Sequence, residues 1–290
     1  TYVTGSLDNV LGDCNAILTL NLSNCRSLTG TLLPLGHCKF LTSVNLCNCD
    51  KISGMLDALE NCCALTNLNL GNCQKLTGSM DALDKCTALT CLEVFGCKNI
   101  TGTLDALTAC TALTKLDFSS FGTTMRVSGT LDLLWRCTAL TELDLEYCRS
   151  LKGNLRALGG LTNLDKLDLG DCNKICGPLP GNIVRLISQG KANMRNCKGP
   201  FTLEADLSAV SDEIILQPLD ERLHGKLDAL RSCPTVTNLD LKGCQSLRGE
   251  LDSLRECTAL INLDLHGCCE LSGSLAAIGN CTALTNIDLT

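Results

Sequence analysis

Aromatic residues and positive charge are both scarce in this chain of 290 residues. Phenylalanine, tryptophan and tyrosine together make up 3% of it, and 24 lysines and arginines stand against 31 aspartates and glutamates, a formal net charge of −7. A protein that binds nucleic acids or anionic membranes presents a basic surface. The sequence also lacks the run of about 18 apolar residues that a membrane helix requires. We therefore expect no nucleic-acid partner and no direct membrane insertion.

Motifs of enzymes and metal sites are missing as well. The sequence contains no phosphate-binding Gly-x-x-x-x-Gly-Lys-(Ser/Thr), no His-Glu-x-x-His, no Gly-x-Ser-x-Gly and no EF-hand loop. A zinc site is disfavoured because there is no Cys-x-x-Cys pair and because the histidines His37, His224 and His266 lie far apart in the sequence. We therefore expect no enzymatic activity, no cofactor and no metal.

Glycine recurs at intervals of mostly 24 residues and divides the chain into repeats. In the repeat that begins at Gly54, Leu68 and Leu70 are separated by one residue, and Cys73 follows. This period of two predicts a short strand with buried leucines and outward alternate side chains. The chain must then turn, so that Gly78 begins the return path. The whole sequence predicts about eleven or twelve such parallel strands in one sheet.

The pattern Leu-x-x-Leu-x-Leu-x-x-(Asn/Cys)-x-x-Leu resembles that of the leucine-rich repeat family, and the resemblance covers residues 3–290. The Cys-x-x-Leu ending is similar to the cysteine-containing class, whereas Gly-x-Leu-(Asp/Pro) is similar to the plant-type class. The family implies an α/β repeat solenoid, a horseshoe or arc with a parallel concave β-sheet and short 3-10, extended or helical convex segments. We expect residues 1–290 to form a single solenoid of about 12 repeats, cut within a repeat at both ends.

Two parts of the chain depart from this frame. The repeat that begins at Gly102 has 27 residues, so a loop should bulge at residues 121–127. The second departure covers residues 177–224, and no cysteine occurs between Cys197 and Cys233. Decay of the repeat within a scaffold explains this irregular segment, and so does a partner contact or a hinge. The sequence leaves both interpretations open.

Cysteine is abundant, with 23 residues. Most of them fall into two columns, eight and nineteen residues after the glycine that begins each repeat. A thiol at a fixed interior position is explained as a small apolar side chain and a weak donor toward backbone carbonyls. Disulfides within a column are disfavoured because the side chains point in parallel, so we expect reduced thiols and an intracellular reducing compartment. Among the other cysteines, Cys47 and Cys91 are predicted to be the most exposed.

Threonine and aspartate recur in columns too. Threonines three residues apart, such as Thr87 and Thr90, form two files, similar to the arrays of ice-binding solenoids; we favour hydrogen bonds from threonine to the backbone. Aspartates such as Asp57 and Asp81 are interpreted as caps of helical turns. Glycosylation sequons, which do not by themselves establish secretion, occur at Asn21, Asn99 and Asn280.

The outward strand positions are where proteins of this family usually bind. The middle outward position of each repeat is mostly occupied by an amide or a carboxylate side chain. Like charges in adjacent strands repel each other unless lysines such as Lys115 and Lys166 balance them. Several of the few aromatic residues fall in repeats four to six, which cover residues 78–152 when the repeat that begins at Gly5 is counted as the first. Rigid aromatic side chains ringed by charge are typical of interface hot spots, so we predict a partner-binding surface there. Its predicted residues are Glu93, Phe95, Phe121, Met125, Glu142, Asp144, Glu146 and Tyr147.

These patterns favour a non-catalytic scaffold for protein–protein interactions, or an accessory subunit of a multi-subunit complex, that binds protein partners through its concave face. The alternative is an extracellular or cell-surface recognition ectodomain, which oxidised cysteines and glycosylated sequons would favour. An ice-binding solenoid is a minor alternative.

Overall fold

Short parallel strands form where the leucine pairs predict them. The computed structural model describes residues 3–12, 14–203, 207, 210 and 212–290. Most of these strands contain one fully buried residue, such as Leu68 or Leu116, between two outward ones. The concave strands are Thr19–Asn21, Ser43–Asn45, Asn67–Asn69, Cys91–Glu93, Lys115–Asp117, Glu142–Asp144, Lys166–Asp168, Ala192–Asn193, Glu213–Ile215, Asn238–Asp240, Asn262–Asp264 and Asn286–Asp288.

The concave face is divided, which corrects the expectation of one sheet. The first eight strands form one parallel sheet and the last four form another. The division lies between Ala192–Asn193 and Glu213–Ile215, inside the segment expected to be irregular. The helix Gly181–Ser188 packs against the strand Glu213–Ile215, and the N–H of Ile215 donates to Ser188 Oγ at 2.9 Å. At the division, the backbone N–H of Ile215 is therefore bonded to a helix side chain.

A second set of strands runs along one side of the solenoid, in sheets of two, three and seven strands. Glycine is required here: Gly78 has a φ of 100°, and a Cβ at Gly78 would lie 2.8 Å from the backbone nitrogen of Leu56 in the preceding repeat. These side strands are Gly5–Ser6, Leu28–Thr29, Ser53–Met55, Lys75–Ser79, Ile100–Thr101, Gly129–Thr130, Leu151–Asn154, Lys174–Leu179, Phe201–Leu203, Leu223–Lys226, Leu247–Glu250 and Leu271–Ser272.

Short helices form the convex side. Their capping differs from the prediction, because the N–H of Asp81 donates to Ser79 Oγ at 3.2 Å, so the cap is the residue two positions before the aspartate. The α-helices are Leu7–Leu11 and Gly181–Ser188. The 3-10 helices are Leu33–His37, Leu56–Leu59, Met80–Leu83, Leu104–Leu107, Leu131–Arg136, Leu155–Leu158, Gln217–Arg222, Leu227–Ser232, Leu251–Leu254 and Leu275–Ile278.

The column cysteines line the core and donate to backbone carbonyls. The thiol of Cys73 donates to the carbonyl of Leu46 in the preceding repeat at 3.0 Å, and that of Cys97 donates to Leu70 at 3.0 Å. Repetition of this bond from repeat to repeat forms what we call the thiol ladder. Burial raises the pKa of Cys97 to about 12, so this thiol stays protonated at neutral pH. Among the described residues the structure contains no disulfide.

The exposed thiols are not those that the sequence indicated. Cys47 and Cys91 are half-buried on the concave face, whereas Cys14, Cys63 and Cys269 are exposed. The thiol of Cys91 lies 3.5 Å from Oε1 of Glu93, the other outward residue of its own strand, and this contact accounts for part of its burial. Burial raises the pKa of Cys91 to about 12, which disfavours a reactive thiolate on this face.

Threonine hydroxyls at the start of the concave strands bond to the backbone, as the sequence favoured. Thr66 Oγ1 donates to the carbonyl of Thr42 at 3.0 Å, and Thr90 Oγ1 donates to that of Thr66 at 2.9 Å. The same bond recurs at Thr114 and Thr141. These hydroxyls are therefore used within the solenoid.

Candidate functional site

Three of the predicted site residues, Glu93, Glu142 and Asp144, lie on the two concave strands that flank the strand Lys115–Asp117. Glu93 and Asp144 occupy the middle outward position of their strands, and Asp117 pairs in register with both. Glu142 occupies the first outward position and is in register with Lys115. Parallel pairing without a register shift brings these charges onto one face.

Phe95 projects from this face in a position that a glycine makes possible. A Cβ at Gly71, in the preceding repeat, would lie 2.2 Å from Cε1 and 2.3 Å from Cζ of the Phe95 ring. The ring therefore lies where a side chain at position 71 would stand, and it is half-buried there. An aromatic side chain held in this way keeps a fixed orientation, which lowers the entropic cost of a contact with a partner.

Lysines balance part of the negative charge around Phe95. Lys115 Nζ lies 3.2 Å from Glu93 Oε2 and 3.5 Å from Glu142 Oε2. Lys166 Nζ lies 3.7 Å from Asp144 Oδ2. Each of these ion pairs joins side chains of neighbouring repeats, so lysines separate the carboxylates. The sequence predicted such a balance, because unpaired like charges in adjacent strands repel.

The middle outward column also has a structural role. Asp144 Oδ1 accepts a hydrogen bond from the N–H of Glu146 at 3.2 Å, and Asn69 Oδ1 accepts one from the N–H of Gly71 at 3.0 Å. An amide or carboxylate closes the turn after the strand equally well, because both offer an acceptor oxygen. This turn explains why both Asn and Asp occur in the column.

Asp144 is the most perturbed carboxyl of the face. Burial, followed by repulsion from Asp117, raises its pKa from 3.8 to about 6. Asp168, on its other side in the column, adds to the repulsion, and Lys166 opposes it. Burial and the charge of Asp168 also raise the pKa of Glu146. The charge of this face therefore depends on pH in the mildly acidic range.

Tyr147 lies beside the concave strands, in the turn that follows them. Its φ of 63° is in the left-handed region, and its N–H donates to the carbonyl of Gly170 at 2.8 Å. The guanidinium of Arg149 lies 5.5 Å from the centre of the tyrosine ring and is also bonded to Asp171 at 3.1 Å. Tyr147 thus belongs to the edge of the face, together with an arginine that the sequence did not single out.

The loop at residues 121–127 places only one of its two predicted residues on the surface. The side chain of Phe121 is 78% exposed, whereas Met125 is completely buried in the core, so Met125 is wrong as a contact residue. This repeat has no cysteine in the second column, and Met125 supplies apolar volume to the core instead. The N–H of Met125 donates to the carbonyl of Tyr147 at 3.4 Å, which places the loop next to that tyrosine.

A cleft of about 1140 Å³ opens where the concave face divides. Its lining includes the basic residues Arg195 and Lys198 and the acidic residues Asp220 and Glu221. Apart from the irregular repeat spacing in residues 177–224, no feature of the sequence predicted this cleft.

Neither a metal site nor a membrane helix is found in the described part of the chain. Within residues 3–12, 14–203, 207, 210 and 212–290, no group of three or more His, Cys, Asp or Glu side chains could hold a metal ion. No helix in the same ranges is both long enough and apolar enough to cross a membrane.

Known proteins resemble this chain in structure. A scan against protein-family models gives no match, and neither does a search of curated proteins. A TDR receptor has a TM-score of 0.54 at 15% identity, over 96% of this chain and 48% of the receptor chain. The leucine-rich repeat ectodomain of the Arabidopsis receptor kinase HAESA, solved with an extended IDA peptide hormone, has a TM-score of 0.51 at 18% identity, over 96% of this chain and 54% of the ectodomain.

The functional domain of InlJ from Listeria monocytogenes, which includes a cysteine ladder, has a TM-score of 0.46 at 20% identity, over 95% of this chain and 58% of that one. The two receptor structures, with TM-scores of 0.54 and 0.51, show that this chain has the leucine-rich repeat fold, and the predicted α/β solenoid arc is confirmed. It spans about half the length of the two receptor chains, 48% and 54%.

Proposed function

We propose that this chain is a non-catalytic scaffold or accessory subunit that binds a protein partner through its concave face. The observation that carries the proposal is the ring of Phe95, which is seated on Gly71 on the same face as the ion pairs of Lys115 with Glu93 and Glu142. Fixed aromatic side chains within a charged surface are what interface hot spots are made of. Residues 1–290 would act as a single solenoid of about 12 repeats, so that contacts on several repeats add up.

The partner surface that fits this face is basic or of mixed charge. Around Phe95 and Tyr147 the carboxylates of Glu93, Asp144 and Glu146 outnumber the lysines that pair with them. Complementary charge mainly accelerates association, whereas buried aromatic contacts slow dissociation. The HAESA ectodomain, which has the same fold, was solved with a peptide hormone, and this supports recognition of a polypeptide.

We also propose a reducing, intracellular compartment. The thiol ladder explains the column cysteines without any disulfide, because thiols such as those of Cys73 and Cys97 already have a packing role and a carbonyl acceptor. Such thiols do not require an oxidising environment.

The test is co-purification with the tagged chain, identification of the partner by mass spectrometry, and measurement of its affinity by calorimetry. Replacing both Phe95 and Tyr147 by alanine should weaken binding by about 2 kcal/mol or more and leave the circular dichroism spectrum unchanged. Trp135→Ala is the matched control, because this aromatic residue is 60% exposed but lies in a convex 3-10 helix. Binding that survives the double change and is lost when residues 199–224 are altered would place the site at the irregular segment instead.

A further inference from the structure

The thiol ladder follows a rule that can be read from its acceptors. In each regular repeat the second-column cysteine donates to the carbonyl of the second inward strand residue of the repeat before it. The six shortest of these bonds measure 2.9–3.1 Å, and they join Cys49 to Leu22, Cys73 to Leu46, Cys97 to Leu70, Cys172 to Leu145, Cys197 to Leu169 and Cys268 to Leu241.

Repeat nine, residues 199–224, breaks this rule. The ladder position is occupied by Leu219, which is fully buried and has no side-chain donor. By the rule, the carbonyl that has lost its thiol is that of Met194 in repeat eight, residues 177–198. The break coincides with the division of the concave face.

A second donor is lost at the same place. In regular repeats the carbonyl of the ladder cysteine accepts the N–H three residues later; Leu76 donates to Cys73 in this way at 3.0 Å, and Ile100 donates to Cys97 at 3.0 Å. Three residues after Cys197 stands Pro200, and proline has no N–H. The carbonyl of Cys197 therefore loses its regular partner.

Arg222 supplies both missing donors. Its Nη1 donates to the carbonyl of Met194 at 2.8 Å and to that of Cys197 at 2.9 Å. Its Nε donates to the carbonyl of Leu219 at 3.1 Å, and its Nη2 donates to that of Pro218. The guanidinium thus holds two carbonyls of repeat eight and two of repeat nine.

Arginine is suited to this task by its shape. The planar guanidinium carries five N–H donors in a fixed fork, whereas a lysine ammonium has three donors on one atom. A buried carbonyl without a donor is destabilising, so the loss of Arg222 would affect acceptors on both sides of the division.

We propose that Arg222 is a clasp that replaces one rung of the thiol ladder and one backbone donor, and that it fixes repeat nine against repeat eight where the concave sheet is divided. Arg222 also lines the cleft at this division, so the clasp sets the width of that cleft. A partner that spans both parts of the concave face would depend on this geometry. The inference does not depend on the site proposed at Phe95.

Hydrogen exchange of Arg222→Met tests the clasp, since methionine keeps apolar volume and removes the donors. The amides to follow are those of Cys197, bonded to Met194 at 3.2 Å, and Leu219, bonded to Leu216 at 2.9 Å. We expect both to exchange at least tenfold faster, while the amide of Leu70 in the eight-stranded sheet, bonded to Glu93 at 2.8 Å, is unchanged. Arg231→Met, which removes an exposed arginine paired with Asp228 at 2.9 Å, is the matched control.

Adding Leu219→Cys to Arg222→Met should restore a thiol donor for the carbonyl of Met194 and slow the exchange of Cys197 again. Arg222→Lys should recover less, because it keeps the charge but loses the fork. Exchange in Arg222→Met that equals that of Arg231→Met would overturn the proposal, and so would full recovery by lysine. If Arg222→Met alone does not fold, the double variant Leu219→Cys/Arg222→Met is measured in its place, and an amide of Cys197 that exchanges at least tenfold faster there than in the wild type would also refute the clasp.

Discussion

Replacing Asp144 by asparagine should stabilise the folded protein at neutral pH. The folded state raises the pKa of Asp144 from 3.8 to about 6, mainly because the carboxyl is buried and then because Asp117 repels it. A raised pKa means that the folded state holds the proton more tightly than the unfolded state. The stability that proton binding at Asp144 contributes to the folded state is therefore full below pH 3.8 and is lost as the pH rises through about 6.

The magnitude follows from the size of this shift. A difference of about two pKa units corresponds to about 3 kcal/mol at about 1.4 kcal/mol per unit. Asparagine also removes the 3.7 Å ion pair with Lys166, which is partly exposed and contributes about 0.5 kcal/mol. The bond from the N–H of Glu146 can be kept, since an amide oxygen accepts it as Asn69 Oδ1 accepts that of Gly71. We expect a net gain of about 2 kcal/mol at pH 7.5.

Urea denaturation of the wild type and the variant at pH 7.5 and pH 4 measures this effect. The gain should be present at pH 7.5 and nearly absent at pH 4, where Asp144 is largely protonated. Asp240→Asn is the control, because Asp240 stands in the same column between Ile215 and Asp264 and so has one carboxylate neighbour instead of two. An Asp144→Asn variant that is less stable than the wild type at pH 7.5, or equally changed at both pH values, would refute the reasoning.

Two further predictions concern the thiols and the seat of Phe95. Denatured protein without reductant should give nearly all 23 cysteines as reactive thiols, and in the native state Cys63 and Cys269, which are exposed, should react long before Cys97; about ten or more bridged cysteines would instead indicate an oxidising compartment. Gly71→Ala should displace the Phe95 ring and reduce partner affinity as much as Phe95→Ala does, whereas Gly160→Ala, where a Cβ meets nothing within 4 Å, should leave affinity unchanged.

The sequence by itself determined the repeat and the direction of its side chains. Leu68, Leu70 and Cys73 are buried as their spacing predicted, because a strand with a period of two and a turn after it are local features. The unusual length of the repeat that begins at Gly102 likewise predicted a loop at residues 121–127, and its first residue, Phe121, is exposed.

Only the tertiary structure decided which side chains of one repeat meet those of the next. Phe95 rests on a glycine 24 residues earlier, and Arg222 reaches the carbonyl of Met194 28 residues earlier. Met125 is buried in the core of a repeat that has no second-column cysteine. Stacking sets these contacts, and a change in repeat length shifts them in ways that a residue's own neighbours in sequence do not reveal. For the same reason the division of the concave sheet could be suspected from the spacing of residues 177–224, but its position and its clasp could not.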